Sequence, residues 1–476
     1  MIFERIEVAG LSHYSYILGC PADGRMVVVD PKRDVQDYVD FARKRKLTIS
    51  HVLETHIHAD YASGARELAE LTGATVWASR YDEGETFQVS FPHTDVSDGD
   101  RLTIGSVRIT ALHTPGHTPE HLSYLVYDTN RSADTPMAML SGDFLFIGSL
   151  GRPDLLGEDA KRDLAAKLYQ SVRNLDSLPD GLEIHPAHGA GSLCGAGMSG
   201  RPTSTLGYER AANAYLDPAL TEQAFIDRIL GASPPFPEYY KRMKRVNAEG
   251  APPLGQRTIA PIAPDDAAQR IDDGRVVVID LRDQRSFAAA HIAGSFGIGA
   301  GDSLPVWASW VVPYDTPILL IARDQHEADD AARSLSRVGH DSVTGFLEGG
   351  IDQWKQRGLP LESYADITPA KLHEALEAGQ PIQVVDVRSD GEWQAGHIEG
   401  ALHLFGGEIE KNLAQLPDKN APLAMVCGGG YRSTVIASVL RRHGYTNIIN
   451  VVGGMGAWRK EKLPVTSADR TPQVTS

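Results

Sequence analysis

Residues 54–64 read ETHIHADYASG, and they follow the apolar segment HVL at residues 51–53. His56, His58 and Asp60 recur at every second position. Imidazole and carboxylate are the side chains that hold iron, zinc and manganese. The run therefore reads as a strand end opening into a metal-binding loop. Upstream, residues 26–30 (MVVVD) form a short apolar run that stops at Asp30-Pro31 and suits a buried strand, and residues 35–45 carry helical periodicity. Residues 65–71 read as a helix. Further strands are expected at 74–78, 101–112, 121–127 and 137–141. Strands alternating with helices in this way indicate a layered α/β domain.

Three more motifs of the same chemistry follow, each where an expected strand ends: Pro115-Gly-His117-Thr-Pro119, Ser141-Gly-Asp143 and Pro186-Ala-His188-Gly189. A layered α/β fold gathers strand ends into one crevice. Taken singly, each histidine reads as a loop residue. Four motifs in series read as one metal site.

The rest of the chain bounds the function. The 476 residues suggest about three domains of ordinary size, and 42% apolar with 23% charged residues is typical of a globular protein. The net charge of -16 argues against nucleic acid or an anionic membrane as partner. No signal peptide is expected from residues 1–10, which carry Glu4, Arg5 and Glu7, and no apolar run approaches a membrane span. Cys20, Cys194 and Cys427 are too few for a disulfide framework and read as reduced thiols in a cytoplasmic protein. A Pro/Gly-rich passage at 231–255, with a basic run at 241–245, reads as a last helix and a linker.

The second half contains a repeat. VVIDLRDQRSFAAAHIAGS at 277–295 matches QVVDVRSDGEWQAGHIEGA at 383–401, and PILLIA at 317–322 matches PLAMVC at 422–427. The period suits two whole domains rather than a solenoid. The second copy runs from a strand into Cys427-Gly428-Gly429-Gly430-Tyr431-Arg432-Ser433 and then a helical segment. Glycines let the loop curl with several N–H groups inward. A helix N-terminus and Arg432 add positive potential. Together they favour an anionic sulfur on Cys427. Such a cradle serves a phosphatase or a sulfurtransferase. In the first copy the loop reads Ala322-Arg-Asp-Gln-His-Glu327, without the thiol and with a carboxylate where Arg432 would be.

The four N-terminal motifs resemble the metallo-β-lactamase superfamily, which includes glyoxalase II-type thioester hydrolases. The two-metal members carry H-x-H-x-D-H, and Tyr61 stands here at the last histidine. A neutral phenol is a poor ligand, so the second metal site is expected to be weak or empty. The pattern is closer to the persulfide dioxygenases. That resemblance implies one Fe(II) per dioxygenase domain on His56, His117 and Asp143, a 2-His-1-carboxylate triad. It implies His58, Asp60, Tyr61 and His188 as supporting groups. Gly148-Ser-Leu-Gly-Arg152-Pro-Asp154 resembles the family's G-x-x-G-R-x-D segment, with Arg152 either at the substrate or paired with Asp154. Cys194, six residues past His188, is either at the pocket or a buried thiol.

The Cys427 loop, with Asp386-Val-Arg388 and His397-Ile-Glu-Gly, resembles the rhodanese family, and the first copy reads as a silent repeat. The whole chain resembles persulfide dioxygenase–rhodanese fusions of the CstB type. The expected class is α/β: an N-terminal metallo-β-lactamase αββα sandwich followed by two rhodanese-like α/β domains with central parallel sheets. The expected boundaries are 1–245, a linker at 246–262, a silent repeat at 263–362, an active repeat at 363–466 and a flexible tail at 467–476. The implied partners are low-molecular-weight thiol persulfides (of glutathione, coenzyme A or similar), dioxygen, and sulfite or thiosulfate. Nucleic acid and membrane are excluded, and a homo-oligomer is left open. The rival readings are a glyoxalase II-like thioester hydrolase and a non-catalytic sulfane-sulfur sensor or scaffold.

Overall fold

The computed structural model describes residues 1–232, 236–255 and 257–467. The tail expected to be flexible lies outside them from residue 468 onward. The chain divides into two compact units, the N-terminal half and the two repeats.

The N-terminal unit is built on two six-stranded sheets. In the first, Ile2–Val8, His13–Cys20 and Arg25–Val29 pair antiparallel, and Thr48–Leu53, Thr75–Ser79 and Thr94–Val96 extend the sheet in parallel. The parallel steps need crossovers, which the helices Gln36–Arg45 and Ala65–Thr72 supply. The second sheet runs Ser204–Thr205, Glu183–Pro186, Ala138–Gly142, Leu122–Asp128, Val107–His113, Arg101–Ile104.

Side-chain alternation sorts the layers. Val27 and Val29 meet Ile109, Tyr124 and Leu140 in a core between the sheets. Met26 and Val28 face outward onto Tyr38, Ala42 and Leu68 of the two crossover helices. Met139 and Ile184 face the opposite way, onto Leu168 of helix Lys161–Asn174 and Phe225 of helix Glu222–Gly231. The result is the expected αββα sandwich. Its central strands Arg25–Val29 and Ala138–Gly142 are nearly continuous buried runs because both their faces are covered.

One expected element is divided. Residues 101–112 form a hairpin, Arg101–Ile104 and Val107–His113, with Ile104 opposite Val107. Gly105, at φ +55°, makes the two-residue turn.

The second unit holds two parallel five-stranded sheets. Their spatial orders match: Pro261–Ile262, Val343–Leu347, Ile318–Ile321, Val277–Asp280, Phe296–Gly297 in one, and Ala365–Ile367, Ile448–Val451, Leu423–Val426, Gln383–Asp386, Leu402–His403 in the other. The sequence repeat is therefore a repeat of topology. The two copies share one hydrophobic core, in which Ile298, Leu304 and Trp307 of the first join Val387, Leu404 and Ile436 of the second. Among the described residues, no helix is long and apolar enough to cross a membrane.

Candidate metal centre and thiol loop

His56 follows the strand Thr48–Leu53, His117 the strand Val107–His113, Asp143 the strand Ala138–Gly142 and His188 the strand Glu183–Pro186. The fold brings His56, His117 and Asp143 together with their ligand atoms within 4.8 Å of one another. His117 Nε2 is 3.4 Å and His56 Nε2 3.8 Å from Asp143 Oδ2, and all three side chains are fully buried. These three inward atoms have no hydrogen-bond partner. Buried polar atoms left unpaired are costly, so three of them converging on one point fit a cation.

Each ligand is fixed from behind. His56 Nδ1 lies 3.0 Å from Thr55 Oγ1, His117 Nδ1 2.8 Å from the Arg152 carbonyl, and Asp143 Oδ1 2.7 Å from His188 Nδ1. Such contacts set the tautomer and aim the free atom at the metal. Burial lowers His117 to about 4 and holds His56 well below the usual imidazole range, so both rings are neutral, as ligands must be. Burial opposes ionisation of Asp143, but the His188 cation outweighs it and holds the carboxyl well below its ordinary value. His188 is itself raised to about 10: burial opposes its charge, and Asp143 and Asp60 (2.7 Å from Nε2) overcome that opposition.

His58 lies beside His56, with ring centroids 4.1 Å apart, and its Nδ1 is buried without a partner. Its Nε2 is 3.1 Å from Asp30 Oδ1 and 3.2 Å from Glu54 Oε2. Burial disfavours its charge, yet the two carboxylates raise it well above its ordinary value. Tyr61 is buried, stacks on His13 at 4.0 Å between centroids, and has a hydroxyl without a partner. Burial pushes its phenol well above 10, which removes it as an anionic ligand. Asp60, His188 and Cys194 form a second group of potential ligands. Cys194 is buried, and burial raises its thiol well above the usual range.

Arg152 takes the structural alternative. It holds Asp154 through two contacts of 2.6 and 2.7 Å, and it also reaches the Leu193 carbonyl at 3.2 Å. Of the two expected placements the pair with Asp154 is the one formed, with the fork closed on a carboxylate two residues away.

Two glycines explain the tight loops. A Cβ at Gly142 would lie 2.4 Å from His121 Nε2, at φ +54°, and one at Gly151 would overlap the Asp143 carbonyl at 1.8 Å. The G-x-x-G-R segment thus lets backbone press against the ligand loop.

Several supporting residues escape the motifs. His121 Nε2 accepts the Asp143 N–H at 3.0 Å, and its ring stacks on His56. Glu120 accepts the Ile57 N–H at 3.1 Å, and Lys244 donates to the Ile57 carbonyl at 3.2 Å. His13 is buried with both nitrogens unpartnered. Glu120 and His121 directly follow the Pro115–Pro119 motif, which stopped short of them. Asn247, on helix Tyr239–Glu249, splints the metal loop: it donates to the His58 and Tyr61 carbonyls at 2.8 and 2.7 Å and accepts the Ser63 N–H at 2.8 Å. Asn247→Ala leaves three buried backbone groups unpaired. It should lower unfolding stability by about 3 kcal/mol. Denaturant titration of the variant measures this, and an unchanged midpoint would refute the splint.

In the active repeat, the strand Leu423–Val426 delivers Cys427 to the N-terminus of helix Tyr431–Arg442. Sγ is buried and accepts the Gly430 N–H at 3.0 Å, and Ser433 Oγ lies 3.5 Å away. Gly430 sits at φ +104°. Arg432 binds Glu392 through both its terminal nitrogens at 2.6 Å and also interacts with the Cys427 side chain. Asp386 and Arg388 pair with each other, as Asp280 and Arg282 do in the silent copy, and each arginine also holds a backbone carbonyl. Their role is structural. In the silent copy Glu327 accepts the Arg323 N–H at 2.6 Å, so a carboxylate closes on the loop.

The Glu392–Arg432 pair gives a pH expectation. Burial raises Glu392, but Arg432 and Ser389 outweigh it and bring the carboxyl to about 2. A depressed carboxyl contributes stability in full above its unfolded value near 4.3, and that contribution is lost as pH falls toward about 2. The melting difference between wild type and Glu392→Gln should be constant from neutral pH to about 5, shrink below that and vanish only near about 2. Thermal melts across that range test it, and a difference that grows on acidification would contradict it.

Comparison with known proteins gives the following. The metallo-beta-lactamase superfamily model matches residues 8–188, and the rhodanese-like domain model matches residues 263–357 and 368–461. The crystal structure of a metallo-beta-lactamase from Staphylococcus aureus subsp. aureus COL is 33% identical with a TM-score of 0.66, over 73% of this chain and 98% of that one. A probable metallo-hydrolase of Burkholderia pseudomallei is 31% identical over 37% of this chain, and a hydroxyacylglutathione hydrolase of Prochlorococcus marinus is 32% identical over 35%. The chain spans 63% and 62% of the length of these two curated relatives.

Proposed function

We propose, since the chain belongs to the metallo-beta-lactamase superfamily and carries two rhodanese-like domains, that it oxidises thiol persulfides with dioxygen and transfers sulfane sulfur through Cys427. The observation that carries this reading is the tyrosine at position 61, buried where the two-metal arrangement has its last histidine. One imidazole of that arrangement is thereby lost, and His56, His117 and Asp143 converge as two neutral histidines and one carboxylate. That donor set suits a single iron(II).

Bound there, iron(II) would supply adjacent open positions for a persulfide sulfur and dioxygen. The chain does the rest of the positioning. His188 ties up one oxygen of Asp143 and leaves the other inward. His121 fixes the Asp143 backbone, and Asn247 and Lys244 hold the loop that carries His56. In the net reaction a thiol persulfide, dioxygen and water give the thiol, sulfite and two protons. In the second half, the Cys427 thiolate attacks the outer sulfur of a persulfide. The S–S bond breaks, the thiol leaves, and Cys427 becomes a persulfide. Sulfite then attacks the outer sulfur, releasing thiosulfate and the thiolate. A shared chain raises the local concentration of sulfite near Cys427.

The second reading is a metal-dependent thioester hydrolase. It is favoured by the Asp60–His188–Cys194 group and by the relatives named as hydrolases. Oxygen uptake with glutathione persulfide, run beside cleavage of a glutathione thioester, separates the two. Thioester cleavage without oxygen uptake would overturn the dioxygenase reading.

A further inference from the structure

Three consecutive glycines make a slack loop, and a slack loop is a poor holder of a reactive sulfur. A Cβ at Gly429 would touch nothing within 4 Å, so side-chain packing within the active repeat does not fix that position. Within the active repeat the Met455 and Gly456 N–H groups hold the Cys427 and Gly428 carbonyls at 2.8 Å, and Ser433 and Thr434 hold the Gly430 carbonyl; a further hold comes from the silent repeat. The hydroxyl of Tyr431, adjacent to the Gly430 amide that contacts Sγ, donates to the carbonyl of Gly299 at 2.9 Å. Gly299 lies just beyond the strand Phe296–Gly297 of the silent copy, and a Cβ there would stand 3.4 Å from the Tyr431 ring and 3.2 Å from the Arg282 carbonyl. Glycine lets the phenol settle against the backbone.

The far end of the same helix is held too. Arg441 pairs with Glu362 at 2.6 Å, and Arg442 lies 4.3 Å over the Phe296 ring and donates to the Gly294 carbonyl. Trp310 of the silent copy meets Phe405 edge-on at 5.6 Å. The shared core includes Cys427 itself. The helix whose N-terminal amides face the sulfur is therefore gripped at both ends by a domain that has no thiol.

We infer that the silent repeat is the positioning element of the thiol site, and that Tyr431 is its positioning residue, holding the Gly430 amide on Cys427 Sγ through Gly299. This deepens the sulfur-transfer reading and gives the silent copy a function: it adds a hold on the thiol loop to those the active repeat supplies itself.

The test uses the full-length protein and two variants, Tyr431→Phe in the active repeat and Gly299→Val in the silent one. Iodoacetamide alkylation of Cys427 is followed by mass spectrometry of its peptide across pH, so the other two thiols do not interfere. Sulfur transfer from thiosulfate to cyanide is measured on the same samples, with thermal melts to confirm folding. Both variants should alkylate about fivefold more slowly at neutral pH, the loss of one neutral hydrogen bond. Their rate-versus-pH curves should move to higher pH. The kcat for sulfur transfer should fall about fivefold with KM within about twofold. Unchanged alkylation curves in both would overturn the inference. So would an effect in Tyr431→Phe with none in Gly299→Val, because the contact would then act inside the active repeat alone. Alkylation reports the thiol whatever reaction it serves. A wild-type protein without sulfur transfer, but with the alkylation contrast intact, would refute the functional reading and leave the positioning role standing.

Discussion

Replacing Cys427 with serine should leave oxygen uptake with glutathione persulfide within about twofold of wild type and lower thiosulfate formation at least about a thousandfold. The sulfur atom is the only group in its loop able to form a persulfide. Serine keeps the size and the Gly430 hydrogen bond but is a far weaker nucleophile at neutral pH. The metal ligands belong to a different compact unit and keep their contacts. Sulfite should therefore accumulate in place of thiosulfate. Loss of both activities would mean that the two halves do not divide the labour.

The second large effect is expected from Asp143→Asn. The substitution removes the one carboxylate that faces both ligand histidines, and it also leaves the His188 cation beside a neutral amide. Partners behind a ligand typically contribute ten- to a hundredfold in metal affinity, and loss of the ligand itself should exceed that. Iron content should drop below about a tenth of wild type, and oxygen uptake should fall by more than about a hundredfold. Sulfur transfer at Cys427 should be unaffected. An Asp143→Asn protein that retains full iron would remove Asp143 from the ligand set.

Much of this architecture was legible from residue order, for identifiable reasons. His56, His117, Asp143 and His188 each end an apolar strand, and a layered sheet sends such ends to one edge. The repeat was legible because Asp280–Arg282 and Asp386–Arg388 hold the same loop in each copy. The hairpin at 101–112 was hidden because both arms alternate, and only the glycine and the shift of buried positions from Leu102 and Ile104 to Val107, Ile109 and Ala111 mark the turn. Asn247, Lys244 and His13 were hidden for another reason. They reach the metal loop across 45 to 189 positions of chain, and no local spacing encodes such contacts. The partner of His58 Nε2 was equally invisible. Asp30 reads in sequence as a plain strand-end residue before a proline, while it pairs with that nitrogen and accepts both the Thr55 amide and hydroxyl.

The central claim is that one iron held by His56, His117 and Asp143 serves oxidation rather than hydrolysis. The most direct measurement is iron per chain and oxygen consumption on one reduced sample supplied with glutathione persulfide. The account predicts about one iron per chain and one dioxygen consumed per persulfide, with sulfite or thiosulfate as product. Two metals per chain, cleavage of a glutathione thioester and no oxygen consumption would contradict it.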